Sequence, residues 1–161
     1  MRTLVKPHLV KLGVAALCAL ASVSAAHAQD ASAEQKAVEI RQSIFKLLEW
    51  NYTPTIGEML KNKMKYDAAV VQKNAARLEA LAPMISEAFA VDTHETAGLK
   101  TRAREGIWTN MADFKAKNDG LVKAVAGLSA AAKGGDEKAF RQAAIAVGKA
   151  CGACHDDFRD K

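Results

Sequence analysis

The chain ends Cys151-Gly152-Ala153-Cys154-His155-Asp156-Asp157-Phe158-Arg159-Asp160-Lys161. The stripe leading into this tail, Phe140, Ala144, Val147, Cys151, Cys154 and Phe158, advances in steps of four, three, four, three and four. Such spacing is one face of an α-helix. Two cysteines separated by two residues and followed at once by a histidine form the pattern for covalent haem attachment. The chemistry calls for these residue types: two thiolates add across the vinyl groups of one porphyrin edge, and the adjoining imidazole reaches the iron as proximal ligand. Because the stripe is also the core face, a haem attached there is buried between this helix and its neighbours, at one end of a bundle.

Other uses of the cysteines fit less well. A thioredoxin-type pair sits at a helix start in a βαβ setting, and no strand pattern precedes Cys151. A structural zinc site wants four ligands, and beyond the leader only His94 remains. A plain disulfide would leave the position of His155 accidental.

The first 28 residues read as a secretory signal. Arg2, Lys6 and Lys11 precede and enter an apolar stretch from Leu12 to Leu20, and Ala26-His27-Ala28 is an A-x-A cleavage site, so the mature chain is expected to start at Gln29. Cys18 is discarded with this leader. The leader carries three of the 23 Lys and Arg residues and none of the 18 acidic ones, so the mature chain is nearly neutral. Nucleic acid is therefore not an expected partner. No other stretch reaches the length of a membrane span. Export without a disulfide framework fits the periplasm, and residues 29–161 suffice for one domain.

That domain is rich in Ala, Lys, Glu and Leu, which favours helix throughout. A first helix opens at the Ser32-x-x-Gln35 capping box and runs to about Trp50, with Ala37, Ile40, Ile44, Leu47 and Leu48 on its apolar side and Phe45 widening it. Pro54 ends or kinks it, and the connection extends from Asn51 to Tyr66. A second helix starts at the N-cap Asp67, carries Val71, Ala75, Leu78, Ala82 and Ile85, and weakens at Pro83. Residues 89–101 form a loop holding His94. A third helix runs from about Arg104 to Leu128, with Asn118-Asp119-Gly120 a candidate interruption. Gly134-Gly135 and the cap Asp136 introduce the fourth. The expected fold is all-α, an antiparallel up-down-up-down four-helix bundle with covalently bound haem.

Four segments, in order along the chain, carry a resemblance to cytochrome c′, a class II c-type cytochrome: Arg41-Gln42-Ser43, Lys65-Tyr66-Asp67-Ala68-Ala69, Gly106-Ile107-Trp108 and Cys151 to Arg159. The C-terminal position of the motif distinguishes this group from class I cytochromes, which draw a methionine ligand from downstream. The resemblance implies one haem c, with thioethers from Cys151 and Cys154 and His155 as the axial iron ligand. It implies haem contacts from Arg41 and Gln42 near the propionates and from Thr101 or Arg102 ahead of Trp108, with Arg159 on the proximal side. The family position facing the iron falls on Phe45. Methionine there makes a six-coordinate electron carrier, whereas an apolar residue leaves the iron five-coordinate. Relatives of this kind bind NO and CO, exchange single electrons with a redox partner, and many are homodimers through the first two helices; none of this implies an enzyme.

An apolar distal side has its own consequence. With no hydrogen-bond donor to stabilise bound dioxygen, uncharged diatomics such as NO and CO are favoured, and Phe45 must move to admit them. The alternative is a six-coordinate, low-spin electron-transfer cytochrome of the same family, although Met59 lies beyond Pro54. A peroxidase or NO reductase would want a distal acid-base pair, and a haem-free bundle would not redden. Met59, Met64, Met84 and Met111 read as core or loop filler, Trp50 and Trp108 as packing residues, and Lys61, Lys63 and Lys65 as a solvated face.

Overall fold

The first turn of α1 (Ala33–Tyr52) is capped by Ser32, whose hydroxyl accepts from the Gln35 backbone N–H at 3.2 Å. The reciprocal half of the capping box does not form, because the Gln35 amide donates to Glu39 instead. The computed structural model describes residues 31–161, so the expected leader lies outside the described residues.

Helix α1 does not stop at Trp50. Pro54 has no N–H for the ordinary bond four residues back, and the chain accommodates it by widening into one π-helical turn, Thr53–Gly57. A last helical turn, α2 (Glu58–Leu60), follows, and Asn62 in left-handed backbone closes the segment. The expected sixteen-residue break is thus mostly helical.

Asp67 caps α3 (Ala68–Leu81), its carboxylate accepting from the Ala69 and Val70 N–H groups at 2.9 and 3.0 Å. Pro83 separates α3 from α4 (Met84–Ala88), and residues 89–105 form the long loop. The expected third helix is two pieces. A single turn, α5 (Gly106–Thr109), is offset at Asn110 from α6 (Met111–Gly134). Asn118-Asp119-Gly120 does not interrupt α6: Asn118 is buried, within 3.4 Å of Ser86 Oγ, and Gly120 meets no neighbour. Gly135, at φ +70°, reverses the chain where a side chain would be strained. Asp136 then caps α7 (Glu137–Phe158).

The four long helices α1, α3, α6 and α7 form an all-α four-helix bundle in which chain neighbours pack on each other. Its core contains Ile44, Met59, Val71, Leu78, Phe114, Leu128 and Phe140. Each such side chain contributes about 1.5–3 kcal/mol by leaving water. A polar seam joins α1 and its π turn to α3: Asn74 donates to Thr55 Oγ1 at 2.6 Å, and Arg77 donates to Asn51 Oδ1 at 3.3 Å.

On α1 the expected stripe needs correction. Ile40 and Leu47 are 54% and 45% exposed, whereas Ala37, Val38, Arg41, Ile44 and Asn51 are buried. The helix packs on a face rotated from the one that its leucines and isoleucines suggest, because polar Arg41 and Asn51 have buried partners. Trp50 is also not a packing residue. It is 62% exposed, with the Arg77 guanidinium 5.5 Å from its ring centroid. Among the described residues no helix is long and apolar enough to cross a membrane.

Candidate haem site

Cys151 and Cys154 are free thiols on the stripe of α7 that begins with the buried Phe140, Ala144 and Val147. Both are partly buried and pack against the apolar core. Burial pushes both thiols up from their ordinary range, and the nearby Lys117 ammonium partly opposes this at Cys154. Lys117 is itself anchored to Asp157 at 2.8 Å.

His155 is half-buried at the end of the same stripe. Burial first, then the positive charges of Arg159 and Arg102, hold its pKa below the ordinary histidine value. That direction favours the neutral form of the imidazole, the form that binds a metal. Two thiols and an imidazole on one partly buried helix face suit a covalently held haem, with two sulfurs for the porphyrin edge and one nitrogen for the iron.

Arg159 lies near His155 because it follows it by one helical turn, and Arg102 is brought near because the tail folds back on the loop. Ala103 and Arg159 form an antiparallel bridge, Arg104 N–H donates to Phe158 O at 3.1 Å, and Asp160 N–H donates to Arg102 O at 2.9 Å. Arg104 also covers the last carbonyls of α7. Its guanidinium donates to Asp156 O and Asp157 O at 3.1 and 3.2 Å and pairs with Asp160 at 3.0 Å. A cation at a helix C-terminus is favoured by the free carbonyls there. Thr101 is turned to its own segment, its hydroxyl accepting from Ala103 N–H.

Arg41 and Gln42 serve the loop. Arg41 is 3% exposed; Nε donates to Ala88 O and Nη1 to Thr93 Oγ1, both at 2.8 Å, and Nη2 donates to Val91 O. Its guanidinium carbon lies 4.4 Å from the Phe89 ring centroid and 5.3 Å from that of Trp108. Gln42 donates to Lys100 O at 2.7 Å. The structure thus gathers Cys151, Cys154, His155, Arg102 and Arg159 into one group, while Arg41 and Gln42 bind the 88–100 loop.

Phe45 lies on α1 between these anchors and Tyr52. It is 38% exposed, and its ring meets Phe89 edge-on at 6.4 Å. Phe89 continues into Phe114 at 4.9 Å, and Phe114 into Phe158 at 5.3 Å, so one aromatic cluster links α1 to the end of α7.

Sequence reasoning passed over Tyr52, Lys117 and Arg104. Tyr52 stands seven residues after Phe45, a spacing that puts both on one helix face, and that signal was available. The role of Arg104 depends on the tail's return and has no local signature.

A family model described as Cytochrome C' matches residues 36–159. Cytochrome c′ of Rubrivivax gelatinosus is 36% identical over 125 residues, covering 78% of this chain and 95% of the relative. Among solved structures, cytochrome c prime from Shewanella frigidimarina is similar at a TM-score of 0.74 and 32% identity, covering 82% of this chain and 100% of that one. The nitric oxide complex of a point mutant of cytochrome c prime from Alcaligenes xylosoxidans gives a TM-score of 0.71 at 32% identity, again covering 82% and 100%.

Proposed function

The chain belongs to the cytochrome c′ family, whose members carry covalently bound haem c, and from that premise we propose a five-coordinate haem protein that binds NO or CO and passes single electrons. Cys151 and Cys154 supply the thioethers and His155 the one protein ligand. Bound haem provides an iron with one coordination position left open and a one-electron couple.

The observation carrying this reading is the contrast between two helices that meet where Tyr52 touches Ala144. Helix α7 offers two thiols and a neutral imidazole on one stripe, whereas α1 offers Phe45, which has no lone pair for iron and no proton to donate. Phe45 therefore excludes a sixth protein ligand and gives bound dioxygen no hydrogen bond. Met59, the nearest methionine along the chain, is fully buried in the core beyond the π turn.

Around the macrocycle, Gln42, Thr101 and Arg102 form the loop-side contacts, and Arg159 stands beside the proximal imidazole. Arg41 acts toward the propionates chiefly through its charge, since three of its five N–H donors hold the loop. We further propose export to the periplasm with cleavage after Ala28, and a homodimer through the α1 side where Ile40, Leu47 and Trp50 are exposed. The nitric oxide complex of the Alcaligenes relative supports the gas-binding part of the proposal.

The test is the absorption spectrum of the purified ferrous protein before and after CO or NO. A broad high-spin Soret band that shifts on CO addition is expected. A sharp low-spin spectrum with resolved α and β bands, unmoved by CO, would replace this reading with six-coordinate electron transfer.

A further inference from the structure

We propose that Tyr52 and Gly148 form the stop that sets the spacing of α1 from α7, and thereby govern how readily Phe45 yields to a diatomic ligand. The inference rests on Phe45 as the distal residue and adds a second pair of residues that controls access.

The Tyr52 hydroxyl donates to Ala144 O at 2.8 Å, and among the described residues this is the one side-chain hydrogen bond joining α1 to α7. The carbonyl it uses already accepts the ordinary helical bond from the residue four positions on, Gly148. Gly148 is what lets the phenol approach: a Cβ built there would lie 3.3 Å from the Tyr52 oxygen, tighter than ordinary contact. Tyr52 is half-buried, and desolvation, the largest cause, raises its pKa to about 12, so the hydroxyl keeps its proton and remains a donor. Cys151 lies three residues beyond Gly148 and seven beyond Ala144, on the same face of α7. The stop therefore sits beside the first thioether position.

Along α1, Phe45 lies seven residues before Tyr52, about 10 Å up the same face. Four residues before Phe45, Arg41 is fastened to the loop by three hydrogen bonds. Phe45 is thus carried on a stretch of helix held at both ends. It can give way by turning its ring, not by the helix swinging outward. Releasing the Tyr52 end adds the second motion and lowers the barrier to ligand entry.

The experiment measures CO association with the ferrous holoprotein by flash photolysis in the wild type, Tyr52→Phe and Gly148→Ala, alongside hydrogen exchange of residues 45–52. Losing the hydrogen bond in Tyr52→Phe should raise the association rate roughly two- to tenfold and speed exchange of the segment, and Gly148→Ala, whose Cβ displaces the hydroxyl from its 3.3 Å approach, should act in the same direction by less. Ser129→Ala, which removes the bond from Ser129 to Glu79 between α6 and α3, serves as the control of comparable structural loss and should leave the rate unchanged. In a Phe45→Ala background the distal ring is gone, so adding Tyr52→Phe should have no further effect on the rate. The stop is overturned if wild-type protein binds CO and both Tyr52→Phe and Gly148→Ala bind at the wild-type rate, or if Tyr52→Phe acts equally with and without Phe45. If the wild type takes no CO at all, the five-coordinate reading fails and this inference with it.

Discussion

Replacing Arg41 by alanine should be among the most damaging single changes in the molecule. The guanidinium is 3% exposed and donates to Ala88 O, Val91 O and Thr93 Oγ1, while its face covers Phe89 and Trp108. Hydrogen bonds from a charged donor contribute about 1.5–3 kcal/mol each, and a cation over a desolvated ring adds about 1–2 kcal/mol. The terms do not add fully, because water entering the space left behind would satisfy some acceptors. A net loss of about 3–5 kcal/mol is expected. Arg41→Lys keeps the charge but cannot span three acceptors from a single ammonium, so about half that loss should remain. The assay is urea unfolding of the holoprotein at neutral pH followed by far-ultraviolet circular dichroism. Hydrogen exchange of residues 88–101 would localise the damage. A loss below about 1 kcal/mol with the loop still protected would refute the assignment of Arg41 as the loop's anchor.

Three further outcomes follow from other parts of the structure. The hydrogen bond that His94 donates to the Asp92 carboxylate raises the pKa of His94, which stacks on Trp108. That stabilisation of the loop is complete below the unfolded-state histidine pKa and is lost as pH rises through the raised folded one. NMR should find His94 titrating above the ordinary histidine range, and Asp92→Asn should return it. Arg104→Ala should uncover the last carbonyls of α7 and free the tail, lowering stability by about 1–2 kcal/mol and making residues 159–161 sensitive to carboxypeptidase digestion. Gly135→Ala places a side chain in left-handed backbone and should cost about 1–2 kcal/mol in thermal unfolding, whereas Gly127→Ala, mid-helix with open space, should be neutral or stabilising.

Much of the fold, including the helix face that carries Cys151 and Cys154, was legible because it depends on short-range spacing. The stripe from Phe140 to Phe158 and the caps at Ser32, Asp67 and Asp136 need only neighbours within a few residues, and all reappear in the structure. What failed were inferences whose outcome depends on distant partners. Pro54 was expected to end or kink the helix, and α1 does end at Tyr52, but the connection expected from Asn51 to Tyr66 stays mostly helical because Asn74 from α3 donates to Thr55 and the packing of Ile56 and Met59 stabilises a widened turn. Ile40 and Leu47 looked like core by residue type. The buried places went to Arg41 and Asn51, whose partners lie in the 88–93 turn and on α3. Hydrophobicity ranks residues by their cost in water, and it cannot register that a polar side chain has found enough partners to be buried instead.

Helix α1 therefore combines roles that a single apolar stripe would not allow. Arg41 and Gln42 use its start to hold the long loop, and that loop in turn carries Arg102 and Arg104 to the end of α7. Tyr52 uses its last turn to touch α7 directly. On the proposed reading, the charges beside His155 and the distal ring of Phe45 are thus positioned by one helix, the first through the loop and the second by its own register. On that reading a change at Arg41 reaches Arg102 and Arg159 through the loop as well as Phe45 through the helix, whereas a change at Tyr52 alters the spacing of α1 from α7 without touching the loop. Comparing how the two variants alter the CO association rate and the proximal histidine–iron vibration would separate these routes, because only the loop-mediated one reaches Arg102 and Arg159.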